Sequence, residues 1–248
     1  MNNEAEMNET TAQGDERFTK GFSDPEFVAR YEEGVRQFVP ALDALHRMAG
    51  LLLAERMKER PTVLVIGAGG GMELKSFADA YPDWRFVGVD PSAPMLELAR
   101  RKLQDAAERV TLLEGYADDA PEGPFDGAVC LLTLHFMNAE DRLHALKQIR
   151  RRLSPGAPLV TAHSSFPQGD RQRARWLDRY ERFAVASGAL PELAEGARKS
   201  VDAALNIMTP EQDEAIMFHA GFGDIETFYT AFTWRGWIAR AEGERNPQ

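Results

Sequence analysis

Between Asp24 and Glu59 large apolar side chains recur at three- and four-residue intervals, first as Phe27, Tyr31, Val35 and Phe38, then as Leu42, Leu45, Met48 and Leu52. That spacing lines one face of a helix, and Pro40 interrupts it, so two helices are predicted ahead of the first strand. From Pro61 the texture changes to short β-branched runs alternating with amphipathic stretches, the pattern of an open, mainly parallel sheet covered on both faces. TVLVIG, RFVGVD, RVTLLEG, FDGAVCLL and PLVTAHS read as five strands. The helices between them are expected at Met72 to Ala80, Ala93 to Ala107 and Ala139 to Leu153, the last ended by Ser154-Pro155-Gly156.

Residues 167–208 break this alternation with helical spacing around Trp176, Tyr180 and Phe183 and again from Pro191 to Leu205. A connection this long usually carries function, so it is expected to be a helical insertion over the active site. The chain then reads as a helix from Glu211 to His219, a Gly221-Phe222-Gly223 turn, and two strands, DIETFYTA and FTWRGWIAR. Residues 1–16 are polar and acidic and are expected to form a disordered tail. The remainder, 17–248, is expected to be one domain, with residues 17–60 as an N-terminal helical lid.

Composition narrows the field. With 248 residues, 44% of them hydrophobic, the chain can bury a full core. Its single cysteine, Cys130, can form no intramolecular disulfide, and neither a signal peptide nor a membrane-spanning run is evident. A cytoplasmic protein is expected. The net charge of −10 disfavours nucleic acid and favours a small-molecule substrate. Arg150, Arg151 and Arg152, with Arg171, Arg173 and Arg175, read as solvated helix faces. A homodimer is compatible with everything in the sequence, and no metal is called for.

The chemistry concentrates in VLVIGAGGG, which places Gly67, Gly69 and Gly71 between the first strand and a helix. Glycines there let the backbone turn sharply and approach a nucleotide-like ligand. About twenty residues on, Asp90 ends the second strand, where a carboxylate can accept hydrogen bonds from ribose hydroxyls. The competing reading is that the glycines serve packing and Asp90 caps the next helix. A dinucleotide fingerprint beginning at Gly67 needs glycine where Met72 stands, so the register is G-x-G-x-G.

VLVIGAGGG, FVGVDPSAPMLELAR and FDGAVCLLTLHFM, in that order, resemble the first, second and fourth motifs of class I methyltransferases that use S-adenosylmethionine (SAM). The resemblance implies a Rossmann-like α/β fold with a mainly parallel seven-stranded sheet and helices on both faces. It implies SAM, or its product S-adenosylhomocysteine, as cofactor. Gly67, Ala68, Gly69 and Gly71 would line its methionine and ribose portions, Asp90 with Pro91 would hold the ribose, and Met95 would pack near adenine. Tyr116, Ala117 and Asp118 would border adenine, while Leu131 and Leu132 would approach the methionine end. Two positions depart from the pattern. Val65 stands where the first motif commonly has an acid, so the anchor for the methionine end must come from elsewhere, and Tyr116 replaces an acid after the third strand.

Methyl transfer needs alignment of a nucleophile and a base only when that nucleophile carries a proton. His135 and His163, after strands four and five, are the candidate bases; the alternative is that each bonds backbone or caps a helix. Among the aromatic residues Phe18, Phe22, Tyr31, Trp176, Tyr180, Tyr229, Trp234 and Trp237, Tyr31 and Tyr229 are the candidate substrate contacts. AGLLLAERM, LTLHFMNAEDR, HAGF and AFTWRGWIA also look like the carboxy-SAM synthases, which convert SAM and prephenate to carboxy-SAM. That likeness implies an arginine from the helical insertion holding the added carboxylate, a place matched here by Arg198 beside Lys199. A small-molecule methyltransferase is the leading expectation, carboxy-SAM synthesis the alternative, and a SAM-binding protein without turnover a third.

Overall fold

The structure is a computed structural model that describes residue 22 and residues 24–243; the tail of residues 1–16 and Phe18 lie outside the described residues. Two helices come first, α1 (Pro25–Phe38) and α2 (Leu42–Ala54). Asp24 caps α1 by accepting from the Glu26 N–H, and the chain turns at Ala41 in a left-handed conformation.

The alternating section follows as β1 (Thr62–Ile66), α3 (Met72–Ala80), β2 (Arg85–Asp90), α4 (Ala93–Lys102), β3 (Val110–Glu114), β4 (Gly127–Leu131), α5 (Ala139–Arg152) and β5 (Pro158–Ser164). After β5 come α6 (Asp170–Ala186), α7 (Pro191–Ala204), α8 (Pro210–His219), β6 (Phe222–Ala231) and β7 (Trp234–Ala241). The strands form one seven-stranded sheet in the order β3-β2-β1-β4-β5-β7-β6. Strands β1 to β5 pair in parallel, and β7 runs antiparallel between β5 and β6.

This order reverses direction between β1 and β4, and a crevice opens there beyond the carboxyl ends of the strands. The central strands are apolar throughout because both faces are covered: one core gathers Leu45, Leu53, Val63, Phe77 and Phe86, the other Leu64, Cys130, Leu146, Ile149 and Trp237. At the edge, β6 is instead mostly half-buried or exposed, with only Phe222 and Tyr229 buried.

Two expectations and one competing reading need correction. The helix predicted to reach Ala107 ends at Lys102, and Gln104–Arg109 forms a 3-10 turn. Leu103 and Ala106, three apart, are both buried, a period that a 3-10 turn satisfies. The turn expected at Gly221-Phe222-Gly223 is confined to Gly221, at φ +91°; Phe222 is fully buried and opens β6 opposite Ala241. Ser92, not Asp90, caps α4, its hydroxyl oxygen accepting from the Met95 N–H.

Helices α6 and α7 pack on each other, with Arg173 paired to Asp202 at 2.7 Å, and α6 reaches α1 through Tyr180 and Phe38, whose ring centres are 5.1 Å apart.

Candidate active site

The cleft forms where the glycine loop leaves β1. The Gly67 and Ala68 N–H groups both donate to the Val89 carbonyl, at 2.9 and 3.1 Å, which fastens the loop to the end of β2. Gly67 has φ +74°, and a Cβ there would lie 2.0 Å from the Thr133 hydroxyl, so only glycine lets the loop pass β4 this closely. At Gly71, φ +73°, a Cβ would meet Ala99 of α4 at 2.9 Å. Gly71 is absent from the cleft lining; its role is to seat α3 against α4, a packing function in place of the expected cofactor contact.

The cavity, about 310 Å³, is bounded by Gly67, Gly69, Asp90, Pro91 and Met95 on one side and by Tyr116, Ala117, Asp118, Leu131 and Leu132 on others. Asp90 accepts from the Gly69 N–H at 2.8 Å and from the Ser92 N–H at 2.9 Å. Burial raises its pKa above the ordinary carboxylate value, against the pull of those two donors. Asp118 pairs with His144 at 2.9 Å on the rim, and Tyr116 is exposed. Leu132 sits at φ +56°, a conformation costly for a leucine, at the point where the chain leaves β4 to line the cleft.

Aromatic side chains wall the far side. Phe22 meets Tyr31 and Phe136 edge to face, with ring centres 5.9 and 5.8 Å apart, and Thr133 and Met137 complete that wall. Beneath the loop a second cavity of about 20 Å³, room for roughly one water, shares Tyr31, Gly67, Gly69, Leu131 and Leu132 with the cleft and adds Ala68, His46 and Glu73. His46, pushed down to about 4 by burial, stays neutral at physiological pH. Burial pushes Glu73 up to about 8.

The structure thus gathers Gly67, Ala68, Gly69, Asp90, Pro91, Met95, Tyr116, Ala117, Asp118, Leu131, Leu132 and Tyr31 around the two neighbouring spaces. Four other expected residues are elsewhere. His135 is buried against Phe136 and Trp234 and accepts from the Ser164 N–H at 3.4 Å; burial holds its pKa well below the ordinary value. His163 is buried 3.2 Å from Asp213 and packs on Trp237. Neither lines the cleft, because both point into the layer beneath it, so neither is placed as a base there. The Tyr229 hydroxyl donates to the Pro40 carbonyl at 2.5 Å, a tie between β6 and the α1–α2 corner. Arg198 pairs with Asp178 at 3.2 Å and Glu181 at 3.6 Å within the insertion. No residue of 167–208 lines the cleft; the insertion lies beside it, against α1.

Sequence reasoning passed over Glu73, Phe136 and Met137, and named Phe22 only within a wider set of aromatic residues. The signal for Glu73 was its place directly after the glycine loop, between Met72 and Leu74.

Residues 63–156 match the family described as a methyltransferase domain. That part of the chain is thus similar to methyltransferase domains. The matched stretch runs from β1 to the turn before β5 and contains every cofactor-side residue expected from the sequence. The helices α1 and α2, the insertion and β6–β7 lie outside it.

Among curated proteins the chain is similar to the carboxy-S-adenosyl-L-methionine synthase of Chromohalobacter salexigens, 24% identical over 223 residues, covering 87% of this chain and 82% of that protein. Among solved structures it is similar in fold to PigF with S-adenosylhomocysteine, TM-score 0.64 at 20% identity, covering 90% of this chain and 61% of that one. It is also similar to human N-acetylserotonin methyltransferase in complex with SAM, TM-score 0.54 at 21% identity, covering 89% and 60%. The chain therefore spans about three fifths of the length of these two solved chains. Among the described residues no helix is long and apolar enough to cross a membrane.

Proposed function

We propose that the cleft holds SAM and that the enzyme transfers its methyl group to a small-molecule acceptor lying against the Phe22, Tyr31 and Phe136 wall. The observation that carries this reading is the charge of the lining: among the described residues its ionic groups are Asp90, Asp118, Asp141, Glu73 and the two histidines His46 and His144, with no lysine or arginine. Such a site suits a cofactor bearing an ammonium, a sulfonium and ribose hydroxyls, and it suits an acceptor without a carboxylate.

The residues present fit the cofactor. Asp90, oriented by two backbone donors, is left with lone pairs for ribose hydroxyls, and the backbone at Gly67 and Gly69 admits close approach. Met95 and Ala117 give apolar contact for a purine. When bound, SAM supplies an activated methyl carbon on sulfur. The aromatic wall excludes water and orients the acceptor, which is most of what an in-line displacement asks of a protein. Tyr31, whose hydroxyl is pushed upward by burial, remains protonated on this wall.

Carboxy-SAM synthesis is the second reading, favoured by the relatives bearing that name along most of their length. Against it stands Arg198, already neutralised by Asp178 and Glu181. Mass identification of the ligand released from purified protein separates the two. SAM or S-adenosylhomocysteine is expected, and carboxy-SAM would transfer the conclusion to the second reading. A protein that releases no such species and does not bind added SAM would remove both. A cytoplasmic setting and a homodimer are part of the same proposal, checked by cell fractionation and by light scattering.

A further inference from the structure

Glu73 is a carboxylate 7% exposed, in the first turn of α3, with its side chain on the small cavity beneath the glycine loop. It makes no ion pair among the described residues, and the hydrogen bond recorded for it comes from its own backbone N–H. Isolated carboxylates are expensive to bury, and a fold keeps one when something else completes it. Among the described residues the surroundings supply no cation in contact. Tyr31 on α1, His46 on α2, Asp90 on β2 and Cys130 on β4 face it, and Lys102 on α4, which acts on it electrostatically, is committed to Glu32 at 2.6 Å. The neighbouring charges are thus either neutral, negative or already engaged.

Its position answers a gap left by the sequence. Val65, on β1 two residues before Gly67, is fully buried and apolar where a methyltransferase first motif commonly carries an acid. Glu73 approaches the same loop from its other end, sharing the cavity with Gly67, Gly69, Leu131 and Leu132.

We propose that Glu73 is the group that binds the α-ammonium of the methionine end of SAM, in place of the acid absent at Val65. This rests on the SAM reading above. An ammonium in the small cavity satisfies the carboxylate by a charge-assisted hydrogen bond and favours its ionised form. Because Glu73 is mostly protonated at pH 7 in the free protein, with a pKa of about 8, binding expels its proton to solvent.

Calorimetric titration of the full chain tests this with three probes: S-adenosylhomocysteine, its analogue lacking the α-amino group, and 5′-methylthioadenosine, which lacks the amino-acid end. The wild type is expected to prefer S-adenosylhomocysteine over the deaminated analogue by at least about tenfold, the scale of one charge-assisted hydrogen bond. Glu73→Gln abolishes that preference and leaves 5′-methylthioadenosine affinity unchanged. Titrations of the wild type at pH 7 in two buffers of different ionisation enthalpy should show release of about one proton with S-adenosylhomocysteine and none with the deaminated analogue. A preference unchanged in Glu73→Gln overturns the assignment. Equal proton release for the two ligands overturns it from the wild type alone, should the variant not fold. Failure of the wild type to bind any of the three probes would instead refute the SAM reading itself.

Discussion

The two halves of the sheet treat buried charge in opposite ways. On the β1–β2 side, the buried Glu73 and the partly buried Asp90 are carboxylates that border open space; Asp90 holds only backbone donors, and Glu73 holds none but its own. On the β5–β7 side, Arg142, Asp213 and His163 are more deeply buried and close on one another. Arg142 donates to the Asp213 carboxylate and to the Met137 and Asn206 carbonyls, at 3.2 and 2.8 Å, while His163 stands 3.2 Å from Asp213. That cluster fastens α5 and α8 to the chain leaving β4. Charge facing a cavity marks a place for a ligand, and charge facing charge marks a fastening.

Breaking the fastening should have the largest effect. Asp213→Asn leaves Arg142 buried without its partner, which costs about 3–5 kcal/mol of stability, read as a lower urea midpoint. Burial pushes the Asp213 pKa up, but His163 and Arg142 outweigh it and hold it below the ordinary value. A carboxylate so lowered stabilises the fold above its unfolded pKa, and the contribution is lost as pH falls through the lowered value. The wild type should therefore lose stability in acid more steeply than Asp213→Asn. Equal acid sensitivity would show the cluster to be inert.

The open side should respond with the reverse sign. Glu73 is raised to about 8 by burial, so the native state without ligand keeps a proton that the unfolded chain gives up above pH 4.5. The proton-linked slope is then negative, and Glu73 erodes stability progressively from about pH 4.5 to 8. Glu73→Gln removes that erosion. The variant should exceed the wild type in stability at pH 9 by up to about 5 kcal/mol, since each unit of the shift from 4.5 to about 8 is worth about 1.4. A variant less stable than the wild type at that pH would mean that Glu73 serves the fold and not a ligand.

Asp90→Ala sharpens the contrast within the cleft. It should weaken SAM binding by about 1–3 kcal/mol through lost hydrogen bonds to a charged acceptor, measured by the same titration. Unchanged affinity would reduce Asp90 to a tie between Gly69 and Ser92.

How far the sequence foretold these regions follows from what each pattern encodes. The parallel strands were legible because burial on both faces forces continuous β-branched runs, and the glycine loop because positive φ and contact with Thr133 or Ala99 demand glycine. Phe222 misled, since its glycine neighbours suggested a turn while its own burial placed it in β6. His135 and His163 stand at the strand ends where ligands bind, yet alternation along a strand turns such residues toward one face or the other, and a position in sequence does not say which. Glu73 was overlooked for a related reason. A lone acid early in a helix normally faces water, but Met72, Glu73 and Leu74 are buried together because the start of α3 is sunk beneath the loop.

The smallest effect is expected at Arg198, and it bears on which chemistry the open side supports. Its guanidinium is partly exposed and held by two carboxylates of α6, an arrangement worth at most about 1 kcal/mol to the fold. Arg198→Ala should leave both the unfolding midpoint and the mass of any released cofactor unchanged, because the residue touches neither cavity. A carboxylated cofactor needs a cation, and among the described residues the lining offers none. If the wild type releases carboxy-SAM and Arg198→Ala releases only SAM, the insertion must swing its arginine away from Asp178 and Glu181 to reach the cleft, and the separation between the two regions drawn above would fail at that point.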